Sequence, residues 1–301
     1  MKQIVSLVCC LLFVLSLLGC NNVSPAPSDE AQISEKSDLT SFKILAIGNS
    51  FSVDALTYLY DIAKAEGVSE IVIGNLYIGG CTLNTHARNA EEQSPVYRFY
   101  KNTDGEWKQT EGYALLQGLQ EESWDIITLQ QASGYSGNVD SFDPYLNVLV
   151  EFINANKTNP EAKLLWHMTW AYQGDSTHSA FANYGNSQQA MYYSVVNAVK
   201  QKIDTNEAFA MVIPAGTAIQ NVRTSYIGDN LTRDGHHLNV LGRVIAAYTW
   251  YALIDGKPLK TLKFSSISHE LTLTENDKAM IVEAVNNAIS NPYQVTESAY
   301  K

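Results

Sequence analysis

The clearest hydrophobic pattern in the chain is the apolar run at residues 44–47, which Gly48 and Asn49 interrupt. A continuous apolar run of this length is typical of a strand that is buried on both faces, as in the middle of a parallel sheet. Apolar residues then recur at spacings of one, three and four over residues 55–63, and this period predicts a helix. The pattern therefore places Ser50 between a buried strand and the helix that follows it.

Short apolar strands and longer helical patterns alternate along the rest of the chain, which favours a parallel sheet covered by helices. The spacing of apolar residues predicts further strands at 70–77, 124–129, 163–168 and 208–213, and helices at 113–122, 144–156, 188–203, 218–226, 240–254 and 275–289. The turn sequence Asn-Thr-Asp-Gly at 102–105 interrupts this alternation. It predicts an inserted hairpin near residues 96–109, at the edge of the sheet or of a site.

The N-terminal residues predict export. Lys2 precedes a largely apolar stretch at 4–18, which is typical of a secretory signal and is short for a membrane span. The sequence Leu-Leu-Gly-Cys at 17–20 resembles a bacterial lipobox, and this resemblance implies a signal peptide at 1–19, cleavage before Cys20 and a lipid on its thiol. Residues 20–41 predict a flexible tether, which leaves 42–301 as a single domain.

Composition narrows the class of partner. The formal net charge of −11 gives no basic surface for nucleic acid or for an anionic membrane, so we expect attachment to a membrane through the lipid alone. Of the four cysteines, Cys9 and Cys10 lie in the predicted signal and Cys20 would carry the lipid. Cys81 is then left alone, which excludes an internal disulfide and is typical of a small buried side chain.

Three polar residues provide the candidate chemistry. Ser50 is predicted at the carboxyl end of a strand, where ligands bind in open α/β sheets, although a serine there can also simply cap the helix. Asp234 and His237 are three residues apart in a turn before a helix, so the carboxylate can reach one imidazole nitrogen and leave the other for a serine proton. A zinc site would need three or four ligands at defined spacings, which the sequence does not show, and no metal is predicted.

Other residues at predicted strand ends are weaker candidates. Gly79 and Gly80 follow the second strand, where glycine allows a backbone amide to approach a ligand or forms an ordinary turn. Gln131 follows the third strand and could donate to an oxyanion or bond loop backbone. Trp170 and Tyr172 lie in the aromatic loop after the fourth strand, where their rings could stack on sugars or pack internally.

At these positions the chain resembles the SGNH hydrolases, the GDSL-like esterases. Gly48-Asn49-Ser50-Phe51 is similar to their first block, with Asn in place of the more usual Asp, and Asp234-Gly235-His236-His237 is similar to their final block. The intermediate sequences at 77–81, 129–133, 167–172 and 214–218 are similar to a bacterial lipoprotein branch that is often described only as a domain of unknown function. The resemblance extends from about residue 43 to residue 254.

The resemblance implies a flavodoxin-like three-layer α/β/α sandwich with a central five-stranded parallel sheet. It also implies that Ser50 is the nucleophile, that His237 is the general base and then the general acid, and that Asp234 orients His237. The implied oxyanion hole consists of the amide of Ser50, the amide of Gly80 or Gly79, and a third donor. The family supplies that donor from an asparagine, which this chain lacks, and Gln131 is the positional candidate.

The function expected from these features is serine ester hydrolysis at the cell envelope, removing O-acetyl or other small acyl groups from carbohydrate. The esterase part depends on Ser50, Asp234 and His237. The carbohydrate part depends on the aromatic loop with Trp170 and Tyr172, on the export signal and on the habits of related families. The alternatives are a lipase or thioesterase of the same superfamily, and a non-catalytic glycan-binding surface lipoprotein. No cofactor and no nucleic-acid partner are expected.

Overall fold

The buried strand that precedes Ser50 lies at the centre of the main sheet. The computed structural model describes residues 39–264, 266–267 and 270–301. The strands in these residues are β1 (Ser41–Gly48), β2 (Glu70–Tyr77), β3 (Tyr97–Asn102), β4 (Trp107–Tyr113), β5 (Ile126–Leu129), β6 (Lys163–His167), β7 (Phe209–Ile213), β8 (Ser266–Ile267) and β9 (Leu271–Thr272). The apolar run 44–47 in β1 is at most 1% exposed, as expected for a strand covered on both faces.

The sheet has the order β4-β3-β2-β1-β5-β6-β7. The pairs among β2, β1, β5, β6 and β7 are parallel, and β3 pairs antiparallel with both β2 and β4. The predicted α/β fold with five parallel strands is therefore confirmed for the central part, but the sheet as a whole has seven strands. The difference arises because the hairpin β3–β4 pairs with β2 and extends the sheet at its edge.

The helices are α1 (Ser50–Leu56), α2 (Leu59–Glu66), α3 (Leu83–Glu91), α4 (Leu115–Gln120), α5 (Tyr145–Asn156), α6 (Gln188–Lys202), α7 (Ala215–Arg223), α8 (Val240–Asp255) and α9 (Glu275–Ser290). Contacts join α1, α2, α7 and α9 to α8, and join α3, α4 and α5 to one another. Parallel strands connected by right-handed crossovers place such groups on opposite faces of a sheet. The result is the α/β/α sandwich.

The helix α8 lies inside one of the helical layers. Residues 244–252 are all buried, so the helix is apolar around its circumference. A helix with this pattern must be covered on every side, and α1, α2, α7 and α9 supply the cover. This packing fixes the position of the loop before α8, which contains Asp234 and His237.

Several predictions concern residues outside those that the structure describes. The signal peptide at 1–19, the lipid site Cys20 and the tether as far as residue 38 are among them. They stay predictions from the sequence. Within the described residues, no helix is both long and apolar enough to cross a membrane.

Candidate active site

Ser50 is held at the carboxyl edge of the sheet by a tight turn between β1 and α1. Asn49 caps the helix, because its Oδ1 accepts the amide hydrogen of Phe51 at 3.0 Å. Gly48 is required by crowding: a Cβ atom at this position would lie 2.7 Å from Ser52 Oγ. Since Asn49 is the cap, the Ser50 hydroxyl is not needed for that purpose.

Ser50, His237 and Asp234 form a continuous chain of hydrogen bonds. His237 Nε2 lies 2.8 Å from Ser50 Oγ, and His237 Nδ1 lies 2.7 Å from Asp234 Oδ2. A carboxylate can only accept, so Nδ1 carries the hydrogen and Nε2 presents its lone pair to the serine hydroxyl. The structure thus brings together the three residues that the sequence singled out, in the order required of a nucleophile, a base and an orienting group.

The Asp234 carboxylate is stabilised in its ionised form. Burial by itself raises the pKa of Asp234, but hydrogen bonds from the His237 ring and from the backbone amides of His237 and His236 outweigh that effect. Together they hold the pKa of this carboxyl well below its usual range. Gly235 makes the geometry possible, because its φ of +86° is a left-handed conformation that turns the backbone amides back toward the carboxylate.

The neighbouring His236 makes no hydrogen bond to Ser50 among the described residues, and its Nδ1 lies 3.1 Å from Asp234 Oδ1. Its carbonyl oxygen accepts a hydrogen bond from Trp170 Nε1 at 2.8 Å, and its ring packs edge-on against His178 and Tyr172. The side chains of Asp234, His236 and His237 offer metal-ligating atoms within 4.8 Å of one another. Two of these groups already bond each other in the chain to Ser50, and the absence of a metal stays a prediction.

Asp54 locks the helix of Ser50 to the loop of His237, a role that the sequence did not reveal. Its side chain is 1% exposed, and it accepts hydrogen bonds from the Leu238 amide at 2.8 Å, from Arg233 Nη1 at 3.0 Å and from Arg243 Nε at 2.9 Å. A buried carboxylate with several partners fixes their positions strongly, because moving one of them removes part of the compensation of a buried charge. Asp54 lies one helical turn after Ser50 in α1, so its bonds to Arg233 and Leu238 fix the loop of His237 relative to Ser50.

The backbone amides predicted for the oxyanion hole, those of Ser50 and Gly80, are free to donate to a substrate. Among the described residues, neither the amide of Ser50 nor that of Gly80 donates a hydrogen bond to another group. The loop of Gly80 is tied to the serine turn, since Asn49 Nδ2 donates to Cys81 O at 3.1 Å. Gly80 is exposed and has a φ of +62°. Cys81 itself is buried, and burial raises the pKa of its thiol to about 12, so the thiol stays protonated.

Gln131 does not have the position predicted for it. Its Nε2 donates to Ser141 O and Ser141 Oγ, both at 3.0 Å, and its Oε1 accepts from the amides of Leu83 and Ala132. Both amide hydrogens are therefore used, and the side chain is buried. The prediction of Gln131 as a donor to the oxyanion is wrong, because this side chain joins three loops behind the site.

Trp170 and Tyr172 are likewise not the sugar platforms predicted from the sequence. Both are 0% exposed. Trp170 stacks on Phe51 at 4.3 Å between ring centroids, and the Tyr172 hydroxyl bonds Ser133 Oγ at 2.8 Å. The aromatic loop is therefore packing that supports the Ser50 turn and the His236–His237 loop from behind, and neither ring can contact a substrate.

A second polar chain runs beneath the serine turn. Asn49 Oδ1 accepts from Gln130 Nε2 at 2.9 Å, and Gln130 Oε1 lies 2.9 Å from His167 Nδ1. Burial lowers the pKa of His167 to about 3, so the ring is neutral and Nδ1 is the donor. The cap of α1 is thus held from inside the protein, which fixes the backbone at Ser50.

Buried histidines predict a loss of stability in mild acid. Burial lowers the pKa of both His86 and His167 to about 3, whereas an unfolded histidine titrates near 6.5. Below that pH the unfolded chain binds protons that the folded chain excludes, so stability is complete above pH 6.5 and falls progressively toward pH 3. At pH 5 the loss is about 2 kcal/mol per histidine.

Denaturant unfolding at pH 7 and at pH 5 measures this loss. In a His86→Gln variant the difference between the two pH values is expected to shrink by about 2 kcal/mol, because one buried titrating group is gone. The exposed Gln201, changed to histidine, serves as the control and leaves the difference unchanged. An equal pH dependence in the wild type and in His86→Gln would contradict the assignment.

In comparisons with known proteins, all residues of the candidate site lie within the segment that one family model matches. A family model described as Domain of unknown function (DUF4886) matches residues 43–279. A crystal structure of a DUF4886 family protein from Bacteroides uniformis ATCC 8492 is 40% identical to the chain, with a TM-score of 0.80 over 85% of this chain and 98% of that one. The matched residues include Ser50, Gly80, Asp234 and His237.

Two further solved structures are less similar. A candidate SGNH hydrolase from Slackia heliotrinireducens is 18% identical, with a TM-score of 0.49 over 71% of this chain and 99% of that one. Axe2, an acetylxylan esterase from Geobacillus stearothermophilus, is 14% identical, with a TM-score of 0.48 over 73% of this chain and 97% of that one. No curated protein matches the chain in sequence.

Proposed function

The chain belongs to the family described as Domain of unknown function (DUF4886), and from that premise we propose that it is a serine ester hydrolase of the SGNH type. The observation that carries the proposal is the hydrogen-bond chain from Ser50 Oγ through His237 to Asp234, with distances of 2.8 and 2.7 Å. A serine hydroxyl that donates to an imidazole nitrogen oriented in this way is an activated nucleophile. No other described serine has a histidine and a carboxylate in this order.

The first half of the reaction forms an acyl-enzyme. Ser50 Oγ attacks the carbonyl carbon of the ester while its proton passes to His237 Nε2. Asp234 then faces an imidazolium, which its negative charge stabilises, and it remains ionised itself. The carbonyl oxygen becomes an oxyanion, and the free amides of Ser50 and Gly80 are the donors offered to it. The bond between the carbonyl carbon and the alcohol oxygen then breaks, His237 gives its proton to the departing alcohol, and the acyl group stays on Ser50 as the acyl-enzyme.

The second half releases the acid. A water molecule attacks the ester on Ser50, with His237 again accepting a proton. The second tetrahedral species collapses to a carboxylic acid, and His237 returns the proton to Ser50 Oγ. His237 thus serves as base and as acid in each half.

The proposed substrates are small acyl esters on carbohydrate at the cell envelope, of which O-acetyl groups are the simplest. The aromatic loop no longer supports this part, because Trp170 and Tyr172 are buried. The remaining support is the export signal in the sequence and the accessibility of the site, where 42% of the Asp234 side chain is exposed. An ester on a bulky polysaccharide needs such an open edge.

Hydrolysis of 4-nitrophenyl acetate by the soluble protein, residues 21–301, tests the proposed function. We expect turnover in the range of roughly 1 to 10³ s⁻¹ that is typical of enzymes. A panel of acetylated polysaccharides, assayed for released acetate, then identifies the carbohydrate. Hydrolysis no faster than that of the Ser50→Ala protein would leave the fold without the proposed activity and favour a glycan-binding role.

Gln131→Ala separates a structural from a catalytic role for this side chain. Its removal leaves the buried amides of Leu83 and Ala132 without their acceptor, so we expect the free energy of unfolding to fall by about 3 kcal/mol. The turnover of 4-nitrophenyl acetate, measured well below the melting temperature, is expected to stay within about threefold, far from the 10²- to 10³-fold loss for an oxyanion donor. Gln201→Ala on the surface of α6 is the matched control.

The proposed location follows from the N-terminal sequence. Lipid on Cys20 would hold the domain at the membrane through the predicted tether. Intact-mass analysis of the mature protein tests this point. An N-terminus at Cys20 with the added mass of acyl chains is expected; an unmodified N-terminus at a later residue would indicate an ordinary secreted protein.

A further inference from the structure

We propose that an apolar pocket beside Ser50 receives the acyl group of the ester and selects acyl groups of about benzoyl size. The proposal rests on the ester hydrolase function proposed above. The pocket is a cavity of about 160 Å³ between α1 and the hairpin strands, and it is lined by Val53, Leu56, Thr57, Asn75, Tyr100 and Trp107. Its lining is almost entirely apolar, with a single amide side chain.

One wall of the pocket lies on the helix of the nucleophile. Ser50, Val53 and Thr57 are separated by three and four residues, so they follow one face of α1 and its C-cap. Val53 is about 4.5 Å along the helix axis from Ser50 at 1.5 Å per residue. The pocket therefore begins within one helical turn of the proposed nucleophile.

The opposite wall leads to the proposed oxyanion loop. Asn75 in β2 is the register partner of Tyr100 in β3, so their side chains share a face of the sheet. Tyr77, two residues after Asn75 on the same face, packs edge-on against Tyr100 with 5.9 Å between ring centroids. A Cβ atom at Gly79 would lie 3.2 Å from the Tyr77 hydroxyl. Tyr77 thus contacts both Tyr100 in the wall of the pocket and the loop of Gly79 and Gly80.

The size and the lining of the pocket define the acyl group. An engineered apolar cavity of about 150 Å³ in another protein holds one benzene ring, so this pocket matches one aromatic ring and would be largely unfilled by an acetyl group. The half-buried rings of Tyr100 and Trp107 provide aromatic walls, against which another ring packs favourably.

Asn75 places one side-chain amide in the otherwise apolar wall of the pocket. The residue is 1% exposed, and its side-chain amide lies 3.0 Å from Ser52 Oγ. Ser52 Oγ gives its single hydrogen to Asn49 O at 2.7 Å, so it accepts from Asn75, and the Asn75 amide nitrogen is the donor. The carbonyl oxygen of that amide then has no partner among the residues that the structure describes, and a hydroxyl on the bound ring would donate to it. The chemistry points to a benzoyl-sized acyl group with a ring hydroxyl.

The test compares kcat/KM for 4-nitrophenyl acetate, 4-nitrophenyl benzoate and 4-nitrophenyl 4-hydroxybenzoate. We expect the wild type to prefer the two aromatic esters to the acetate by at least about tenfold. Val53→Phe fills the pocket from α1 and is expected to reduce that ratio by at least about tenfold. Val282→Phe, the same substitution in a separate cavity beside α9, is the matched control and leaves the ratio unchanged.

A wild-type preference for acetate, or a ratio that Val53→Phe leaves unchanged, would overturn the pocket assignment while the hydrolase function stands. If none of the esters is hydrolysed, the proposed function fails, and binding then decides the pocket separately. Calorimetric titration of Ser50→Ala with 4-hydroxybenzamide is expected to show binding that Val53→Phe weakens by at least about tenfold. No binding, or equal binding by both proteins, would overturn the pocket; thermal melts establish that each variant is folded.

Discussion

Replacing Ser50 with alanine is expected to lower the turnover of 4-nitrophenyl acetate by a factor of about 10⁴ to 10⁶, the loss that follows removal of a nucleophile or its base from a serine hydrolase. The fold should remain intact. Asn49 and not Ser50 caps α1, and the only hydrogen-bond partner of the Ser50 hydroxyl among the described residues is His237 Nε2. The free energy of unfolding is therefore expected to fall by no more than the loss of one part-buried hydrogen bond implies, about 1 kcal/mol.

Ser52→Ala is the matched control, because it removes a second hydroxyl from the same turn. Ser52 Oγ donates to Asn49 O at 2.7 Å and bonds Asn75, so this variant should lose stability. Its hydroxyl does not reach His237 and its turnover should stay within about tenfold of the wild type, the scale of an indirect effect on the turn. Wild-type turnover in Ser50→Ala would end the serine hydrolase proposal.

The parts of the site that could be predicted are those determined by local sequence. Asp234 and His237 are close in the chain, so their contact at 2.7 Å requires only one turn, and Gly235 supplies it. The approach of Ser50 to His237 spans 187 positions. Ser50 follows a predicted strand, but His237 lies in a turn between two predicted helices, so their contact was expected only from the resemblance to the SGNH hydrolases.

The predictions that failed depended on where side chains point and how deeply they are buried. Gln130 and Gln131 are adjacent at the end of β5, and nothing in their sequence indicates that one supports Asn49 while the other bonds Ser141. Trp170 and Tyr172 are aromatic residues on a loop, a pattern that suits ligand stacking although packing is its commoner use. Only the tertiary structure shows that both are fully buried.

Two features were missed although the sequence carried a signal for them. The helix α3 begins after Thr82, whose hydroxyl accepts from the Thr85 amide, and apolar Leu83, Ala87 and Ala90 follow at helical spacing. Asp54 lies four residues after Ser50 in a helix, which places an acid on the buried face. Its partners Arg233 and Arg243 are remote in sequence, so their convergence could not be read from the pattern.

The second prediction with a large expected effect concerns which of two adjacent histidines, His236 or His237, is the catalytic base. His237 Nε2 lies 2.8 Å from Ser50 Oγ, whereas the His236 ring packs on His178 and Tyr172. Burial lowers the pKa of His236, and the positive charge that His237 can carry acts in the same direction, so His236 stays neutral beside the working base. Both rings contact the Asp234 carboxylate, at 3.1 Å for His236 and 2.7 Å for His237, and the contact with Ser50 Oγ selects His237 as the base.

His237→Ala is expected to lower the turnover of 4-nitrophenyl acetate by about 10⁴- to 10⁶-fold, because no other described group is placed to accept the Ser50 proton. His236→Ala is expected to keep at least about a tenth of the wild-type rate, since it removes packing behind the loop and no bond to Ser50. Measuring kcat for both variants, with thermal melts to show that each is folded, decides the assignment. A severe loss in His236→Ala with an active His237→Ala would move the base to His236 and contradict the geometry of the chain from Ser50 to Asp234.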